Sequence, residues 1–366
     1  MHFLAALIGL MMIGIALREG FETIVLPRTS IQGMRLTRIF YKQGWSAWSK
    51  GSFKLPVERR EGFLSAFGPL SLIGLLVLWA VFLVLGFGLL QWSQVNSFAP
   101  KSSLNLISAI YLSGTTVFTL GLGDIIPTQP FSRFVAVLEA GTGFGFLAIV
   151  IGYLPTLYQS FSRRETIISM LDSRASSPPS SAELLSRYAK THDYASLEQF
   201  LKDWEVWGAE LLESHLSYPV LAFYRSQHTG QSWVSALATI MDTCALIISG
   251  VCPGPLSQAT HTFAIGRHAA VDLAIVFNVD PAQLSQPRLS DGDWNLLTAK
   301  LSGAGIELST SDDMKAVLDD LRSQYEPHLN AMATRFLMPL PPWVYDIDNV
   351  DNWRSDPWKQ GEMSHL

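Results

Sequence analysis

Charged residues are scarce in this 366-residue chain, and that scarcity is the first constraint on its class. They make up 16% of the sequence, against 48% for hydrophobic residues, whereas soluble domains carry about 25% charged residues. We therefore expect a membrane protein. The net charge of -5 is small, and the basic residues cluster in the first half of the chain, so nothing indicates a nucleic-acid partner.

Cysteine is almost absent, and so are the features of a cleaved leader. Cys244 and Cys252 are the two cysteines, and they fall in a region that the topology below places in the cytoplasm, where disulfides are rare. The apolar run at residues 3–17 lacks a basic n-region and a cleavage site of small residues. It is expected to be a retained, N-out anchor helix.

Long apolar runs are what the chain does have. A helix that spans the bilayer needs about 20 predominantly apolar residues. Residues 64–92 contain no charge, and residues 134–158 contain only Glu139. Together with the shorter run at 3–17, they predict three membrane-spanning helices.

Basic residues are divided unequally between the connections, which predicts the orientation. Short cytoplasmic loops are enriched in lysine and arginine. The outward connection carries only Lys101, and Arg163 and Arg164 follow the third run, which predicts a multi-pass cell-membrane protein with its N-terminus outside and its C-terminal region in the cytoplasm. The first connection carries Arg18, Arg28, Arg35, Arg38, Lys42, Lys50, Lys54, Arg59 and Arg60.

The segment from Arg28 to Lys54 also interleaves apolar residues with these basic ones. It is expected either to lie along the inner membrane surface, held partly by anionic lipid, or to form a solvated loop that sets the topology.

The outward connection is not shaped like a plain loop. Residues 104–118 form an apolar stretch of roughly four helical turns, too short to span, and it runs directly into "TLGLGDIIP", Thr119 to Pro127. Non-helical backbone at membrane depth is tolerated only where it is buried in protein or lines a water-filled cavity. The pattern therefore predicts a re-entrant segment and a pore.

This region resembles the pore domain of potassium channels, whose filter reads T-x-G-Y-G-D with a proline soon after. Leu122 stands at the aromatic position, as in the GLGD pore loops of two-pore-domain channels, and Gly143 falls at the spacing of the family's inner-helix hinge glycine. The resemblance covers about residues 64–158. It implies an outer helix, a pore helix, a selectivity filter and an inner helix.

The resemblance also implies roles for individual residues. A potassium filter replaces the hydration shell of K+ with rings of backbone carbonyl oxygens, so K+ ions are the expected bound species and no other cofactor is identifiable. Leu120 and Leu122 are expected to pack the filter against its pore helix, and Asp124 to face the outer mouth. Thr115, Thr116 and Glu139 are candidate supports. The predicted filter comprises Thr119, Leu120, Gly121, Leu122, Gly123 and Asp124.

Leucine at position 122 cannot donate the hydrogen bond that tyrosine makes behind the filter. We therefore expect a wall held by packing alone, with potassium preference retained but a looser filter. A nonselective cation channel remains an alternative. Because one chain supplies one filter strand, a homotetramer with cyclic symmetry is predicted, and the lack of an arginine ladder argues against voltage sensing.

Composition changes after the third run and divides the chain further. The Ser/Pro-rich stretch at 173–181 indicates a linker, and helices are predicted at 182–190, 197–216, 220–227, 232–251, 257–279 and 312–337. Asp242 makes the apolar run at 233–251 a buried core helix rather than a fourth span. The predicted divisions are an anchor helix at 1–27, a basic segment at 28–63, a pore domain at 64–161, a linker at 162–181, a helical cytoplasmic domain at 182–337 and a tail at 338–366.

The cytoplasmic region offers no G-x-G-x-x-G motif of a nucleotide-binding domain, and its regulatory ligand is unknown. His261, His268 and Asp272 fall within roughly 20° of one line on a helix, so a metal site with Asp242, His215 or His228 is one hypothesis, and structural histidines are the other. A membrane-anchored ligand sensor or enzyme is thus the alternative to an all-α, non-enzymatic channel. The tail is expected to pack as an extended arm or to be disordered.

Overall fold

The computed structural model describes residues 2–26, 36–99, 105–227, 230–281 and 288–346. It divides into two compact units, Met1–Gln159 and Ser160–Leu366. The helices of the first unit are α1 (His2–Gly20), a π turn (Phe21–Val25), α2 (Leu36–Ser52), α3 (Val57–Ser65), α4 (Phe67–Trp92), a 3-10 turn (Val95–Ser97) and α5 (Leu106–Val117). Helix α6 (Pro130–Ala175) begins in the first unit and ends in the second.

Three helices in the described chain are long and apolar enough to cross a membrane: His2–Val25, Val57–Trp92 and Pro130–Ala175. They correspond to the three predicted runs. Helices α1 and α4 approach each other at glycines, since a Cβ atom on Gly9 would lie 2.5 Å from the carbonyl oxygen of Gly86. Small residues permit such close helix approach within a bilayer.

Helix α2 is tied to both neighbours. The carboxylate of Glu19, near the end of α1, accepts the backbone N–H groups of Leu36 (2.9 Å) and Thr37 (3.0 Å), which caps the positive N-terminal end of α2. Farther along, the ring of Trp48 stacks on Phe63 at 4.4 Å. Arg28 and Arg35, at the start of the predicted interfacial segment, lie outside the described residues.

The predicted pore helix is α5. Asn105 caps it by accepting the N–H of Ser108 at 2.8 Å, so the helix begins at Leu106. Two short strands, β1 (Phe98–Ala99) and β2 (Ile126–Pro127), pair antiparallel on either side of α5 and the filter segment. They hold together the two ends of the outer connection, and α6 begins three residues later.

Helix α6 changes one predicted boundary. It continues to Ala175 in spite of Pro155, so of the predicted linker at 162–181 only residues 176–180 lie outside a helix. Pro178 and Pro179 explain the break, because proline lacks the N–H group that a continuing helix needs.

The second unit is a helical bundle. Its elements are α7 (Ser181–Thr191), α8 (Tyr194–Ser217), a 3-10 turn (Pro219–Phe223), α9 (Trp233–Ile248), α10 (Leu256–Val276), α11 (Asp291–Gly303), α12 (Asp312–Ser323) and α13 (Glu326–Phe336). Helix α9 is buried along nearly its whole length, which confirms the prediction of a core helix at this run.

Two helix predictions in this unit need correction, and one helix was not predicted. Only the 3-10 turn Pro219–Phe223 forms where a helix at 220–227 was expected. The expected helix at 312–337 is divided into α12 and α13, because Pro327 fits only the first turn of a new helix. Helix α11 was not predicted; Ser290 and Asp293 form its capping box.

The beginning of the tail packs on its own unit as an extended arm, which was the first of the two expectations. Trp343 is fully buried, and its carbonyl oxygen accepts the N–H of Ala182 (3.1 Å) and the hydroxyl of Ser181 (3.2 Å). Residues 347–366 lie outside the described residues.

Candidate ion-conduction site

The backbone of the filter segment alternates in handedness. Thr119, Gly121 and Gly123 have φ values of 59°, 56° and 78°, while Leu120 and Leu122 between them do not have positive φ. Glycine adopts positive φ at little steric cost, and Thr119 is the one residue of the segment that does so with a side chain. Alternation of left- and right-handed conformations turns successive peptide groups to the same side.

Hydrogen bonds fix which side that is. The N–H groups of Leu120 (2.7 Å) and Gly121 (3.3 Å) both point to the carbonyl oxygen of Thr115, in the last turn of α5. In a trans peptide the C=O points opposite to the N–H. The carbonyl groups of Thr119 and Leu120, which belong to the same two peptide units, are therefore directed away from the pore helix.

The two candidate threonine supports act differently from each other. Thr115 supplies its main-chain carbonyl to the filter, and its hydroxyl donates to Leu112 O at 2.9 Å. The hydroxyl of Thr116 donates to the same carbonyl oxygen at 2.8 Å, and its own carbonyl oxygen accepts the N–H of Thr119 at 3.0 Å. Main-chain groups of both residues therefore contact the filter segment.

The filter leucines do not pack as expected. Leu120 and Leu122 are 65% and 62% exposed in the single chain, so the chain's own pore helix does not cover them. The physical reason is that both side chains project from a segment whose N–H groups, rather than whose side chains, face α5.

Tyr111, on α5, interacts electrostatically with Asp124 at the outer end of the segment. Leu122 has no group that can donate a hydrogen bond, so the expectation that packing alone holds the wall of the filter stays a prediction.

Glu139 lies behind the segment and is fully buried. Its carboxylate accepts the hydroxyl of Ser113 on α5 at 2.5 Å and the side-chain amide of Gln91 on α4. The predicted bond from Glu139 to the pore helix is thus present. Gln91 and Ser113 were not predicted, because their partner is distant in sequence.

At Gly143, α6 passes close to the last residue of α5. A Cβ atom at this position would overlap the carbonyl oxygen of Val117, whereas one on Gly141 would meet nothing within 4 Å. Helix α6 is continuous at Gly143. The close approach gives this glycine a packing role, and its proposed hinge role stays a prediction.

The metal hypothesis in the second unit is wrong for the described residues, among which no group of three His, Cys, Asp or Glu side chains could hold a metal ion. His268 and Asp272 form an exposed pair at 3.3 Å, and His261 is exposed as well. Three residues on one helix line do not converge, since a helix spreads them along its axis. His228 lies outside the described residues.

The two other predicted partners of the metal are used elsewhere. The carboxylate of Asp242 binds Arg288 at 2.7 Å, and His215 contacts Arg164. Cys244 and Cys252 are buried free thiols, and burial raises the pKa of Cys252 to about 12 and that of Cys244 as well. Both thiols are therefore poor metal ligands at neutral pH, because the thiolate is the form that binds a metal.

Comparisons with known proteins agree with a channel at this site. Residues 72–160 match the family described as "Ion channel". A protein of Bacillus subtilis (strain 168), described as "Uncharacterized membrane protein YdjJ", is 26% identical over 210 residues. That alignment covers 56% of this chain and 60% of the relative's length. No solved structure matches the chain. The matches support an ion-channel pore in a mostly helical membrane protein.

Proposed function

We propose that this chain forms a tetrameric channel that conducts K+ passively through a backbone-carbonyl filter at residues 119–124. The observation that carries the proposal is the alternation of positive φ at Thr119, Gly121 and Gly123, together with the N–H groups that point to Thr115 O. Such a strand offers a row of carbonyl oxygens, which are the ligands that K+ filters use.

The exposed leucines support the oligomer. One strand cannot surround an ion, and cyclic symmetry is the usual way in which identical chains close a ring. In a tetramer, Leu120 and Leu122 would be covered by neighbouring copies, which removes from water two side chains that the single chain leaves exposed.

Orientation and lipid contact belong to the same proposal. In this proposal the N-terminus lies outside the cell and the second unit lies in the cytoplasm, the orientation that the basic residues of the first connection predict. Helix α2 then lies at the inner leaflet, where its exposed Arg38, Lys42 and Lys50 attract anionic headgroups.

The test is K+ flux into liposomes that contain the purified full-length chain. We expect the wild type to conduct and G121A to abolish conduction, because positive φ costs a residue with a Cβ atom roughly 1–2 kcal/mol in each strand. G62A is the matched control, since Gly62 lies in helix α3 with nothing within 4 Å of an added Cβ. Equal flux from G121A and G62A would refute a carbonyl filter at this segment.

A nonselective cation channel is the second candidate, because Leu122 lacks a hydroxyl group and is exposed in the single chain. Bi-ionic reversal potentials distinguish the two. A reversal potential near that of K+ supports selectivity, and comparable permeation of Na+ favours the alternative. Nothing among the described side chains favours the anchored metal-binding enzyme.

A further inference from the structure

Two adjacent arginines of α6 have opposite environments. The side chain of Arg163 is 73% exposed, and that of Arg164 is 3% exposed. Successive side chains on a helix point about 100° apart, so Arg164 is buried within the second unit while Arg163 lies at its surface, where it pairs with Glu210 of α8. The two arginines lie three and four residues after residue 160, where the match to the channel family ends.

Each nitrogen of the buried guanidinium group has a partner. Arg164 donates from Nε to Glu165 Oε1 (3.0 Å), from Nη1 to Leu221 O (2.9 Å) and from Nη2 to Tyr224 O (2.7 Å). Its Nη1 also lies 3.3 Å from His215 Nε2. We call these four acceptors, Glu165, His215, Leu221 and Tyr224, the Arg164 socket. They come from α6, from α8, and from the 3-10 turn and the residue after it.

His215 is held as an acceptor in this socket. Its Nδ1 lies 2.8 Å from Leu211 O, so Nδ1 carries the hydrogen and Nε2 turns its lone pair toward Arg164. Burial, and next the charge of Arg164, lower the pKa of His215 to about 3. The ring is therefore neutral at physiological pH and accepts from the guanidinium group.

This arrangement is better suited to orientation than to stability. A buried ion pair often stabilises no more than well-packed apolar residues of similar volume, whereas a planar guanidinium fork accepts partners only in fixed directions. Rotation of α6 by one residue would present Arg163 or Glu165 to the same carbonyl groups. The socket therefore fixes the rotation of residues 160–175 of α6 within the second unit.

We propose that Arg164 is a positioning residue that couples the cytoplasmic unit to the gate of the pore by fixing the rotational register of α6. This inference rests on the proposed channel function. Because the filter residues lie elsewhere in the chain, a loosened socket changes the ratio of open to closed channels. It leaves unitary conductance and the K+/Na+ permeability ratio unchanged.

The experiment compares R164K with R163K in single-channel recordings of the full-length chain in lipid bilayers. R164K keeps the positive charge but cannot reproduce the planar fork, and we expect it to change the open-to-closed ratio by roughly 5- to 150-fold, the usual range of coupling between sites. R163K should match the wild type, because lysine keeps the charge that faces Glu210 and an ion pair at the surface contributes only about 0–1 kcal/mol. Thermal melting of both variants separates loss of folded protein from a change in gating.

A second variant covers the case in which R164K does not fold. H215Q retains Arg164 with its other three acceptors, and we expect a smaller change of the open-to-closed ratio in the same direction. Equal ratios for folded R164K and R163K, or for H215Q and the wild type when R164K does not fold, would overturn the inference while leaving the channel intact. A changed conductance with an unchanged ratio would also overturn it. Absence of K+ conduction in the wild type would overturn the channel function and the inference together.

Discussion

Each unit buries a carboxylate within an apolar stretch of helix, Glu139 in the first and Asp242 in the second, and the two are surrounded differently. Glu139, on α6, has two neutral partners, the hydroxyl of Ser113 and the amide of Gln91. Asp242, on α9, binds the guanidinium group of Arg288 at 2.7 Å and accepts the hydroxyl of Tyr325 at 2.7 Å. Glu139 is therefore bound by neutral hydrogen-bond donors, whereas Asp242 is bound by a cation.

The surroundings of the two helices explain the difference. Helix α9 lies in the core of the second unit and is surrounded by other parts of the chain. One of them supplies Arg288 as the counter-ion of Asp242. Helix α6 leaves apolar side chains such as Phe134, Val137 and Phe144 exposed, as expected of a helix that meets lipid or other copies. Charged groups are costly at that depth, and neutral partners satisfy the carboxylate without adding another charge.

The largest effect is expected at the ion pair. D242N removes one of the two carboxylates that pair with Arg288, and Glu326 remains at 3.2 Å. Breaking a buried pair typically costs about 3–5 kcal/mol, and we expect a loss near the lower end of that range because Arg288 keeps one counter-charge. We expect the second unit to unfold at a much lower temperature, as measured by thermal melting of the full chain in detergent.

D272N is the matched control for this variant. Asp272 pairs with His268 on the surface of α10, and exposed pairs contribute about 0–1 kcal/mol. Equal melting temperatures for D242N and D272N would contradict a stabilising role for the buried ion pair of Asp242.

Close helix approach in the first unit gives the next largest effect. G143A places a methyl group against Val117 O, directly before the filter, and overpacking of this kind costs typically about 1–3 kcal/mol. G141A, two residues earlier, meets no neighbour and replaces a helical glycine, so it should be neutral or stabilising by about 0.5–1 kcal/mol. Melting temperature and K+ flux measured on both variants test the difference; a G143A protein as stable and conductive as G141A would contradict it.

The stability of the second unit should depend on pH through His215. The pKa of His215 is about 3 in the folded chain and near the ordinary 6.5 when unfolded. The unfolded state therefore binds more protons below pH 6.5, so this contribution to stability is complete above that pH and is lost as pH falls toward 3. The slope should reach about 1.4 kcal/mol per pH unit.

Melting between pH 7.5 and 5 measures this slope before most carboxylates titrate. H215Q should flatten it, and H261Q should not, because His261 is exposed on α10. An unchanged slope in H215Q would assign the acid sensitivity to other groups.

The proposed filter segment could be located from sequence because its pattern is local. Alternating glycines, a short apolar helix before them and a span on each side are all visible in consecutive residues. The partners of Glu139 were not predictable, because Gln91 and Ser113 lie 48 and 26 residues from it. Tertiary contacts of this kind leave no periodic pattern.

In the second unit, too, local patterns were predictable from sequence and tertiary contacts were not. Helix α9 was predicted as a buried helix from its apolar run and Asp242, yet the partner Arg288 could not be named from sequence. The metal hypothesis failed because helical periodicity places side chains on one line without bringing them to one point. Helix α11 was missed although Ser290 and Asp293 form a capping box, a local pattern that was available.

The smallest effect is expected at Glu139, where the partners are neutral rather than charged as they are at Asp242. In E139Q the new amide oxygen can still accept from Ser113, and the new NH2 group can donate to Gln91 Oε1, which has no hydrogen-bond partner within the described chain. Both bonds are kept once the Gln91 amide turns over, so the melting temperature and K+ flux should stay near wild type, with a change below about 1 kcal/mol. E139L is the contrasting variant, since it leaves Ser113 and Gln91 buried without partners, at about 1–3 kcal/mol for each. A loss of flux in E139Q as large as in E139L would show that the negative charge, rather than the hydrogen bonds, is what the filter needs from this residue.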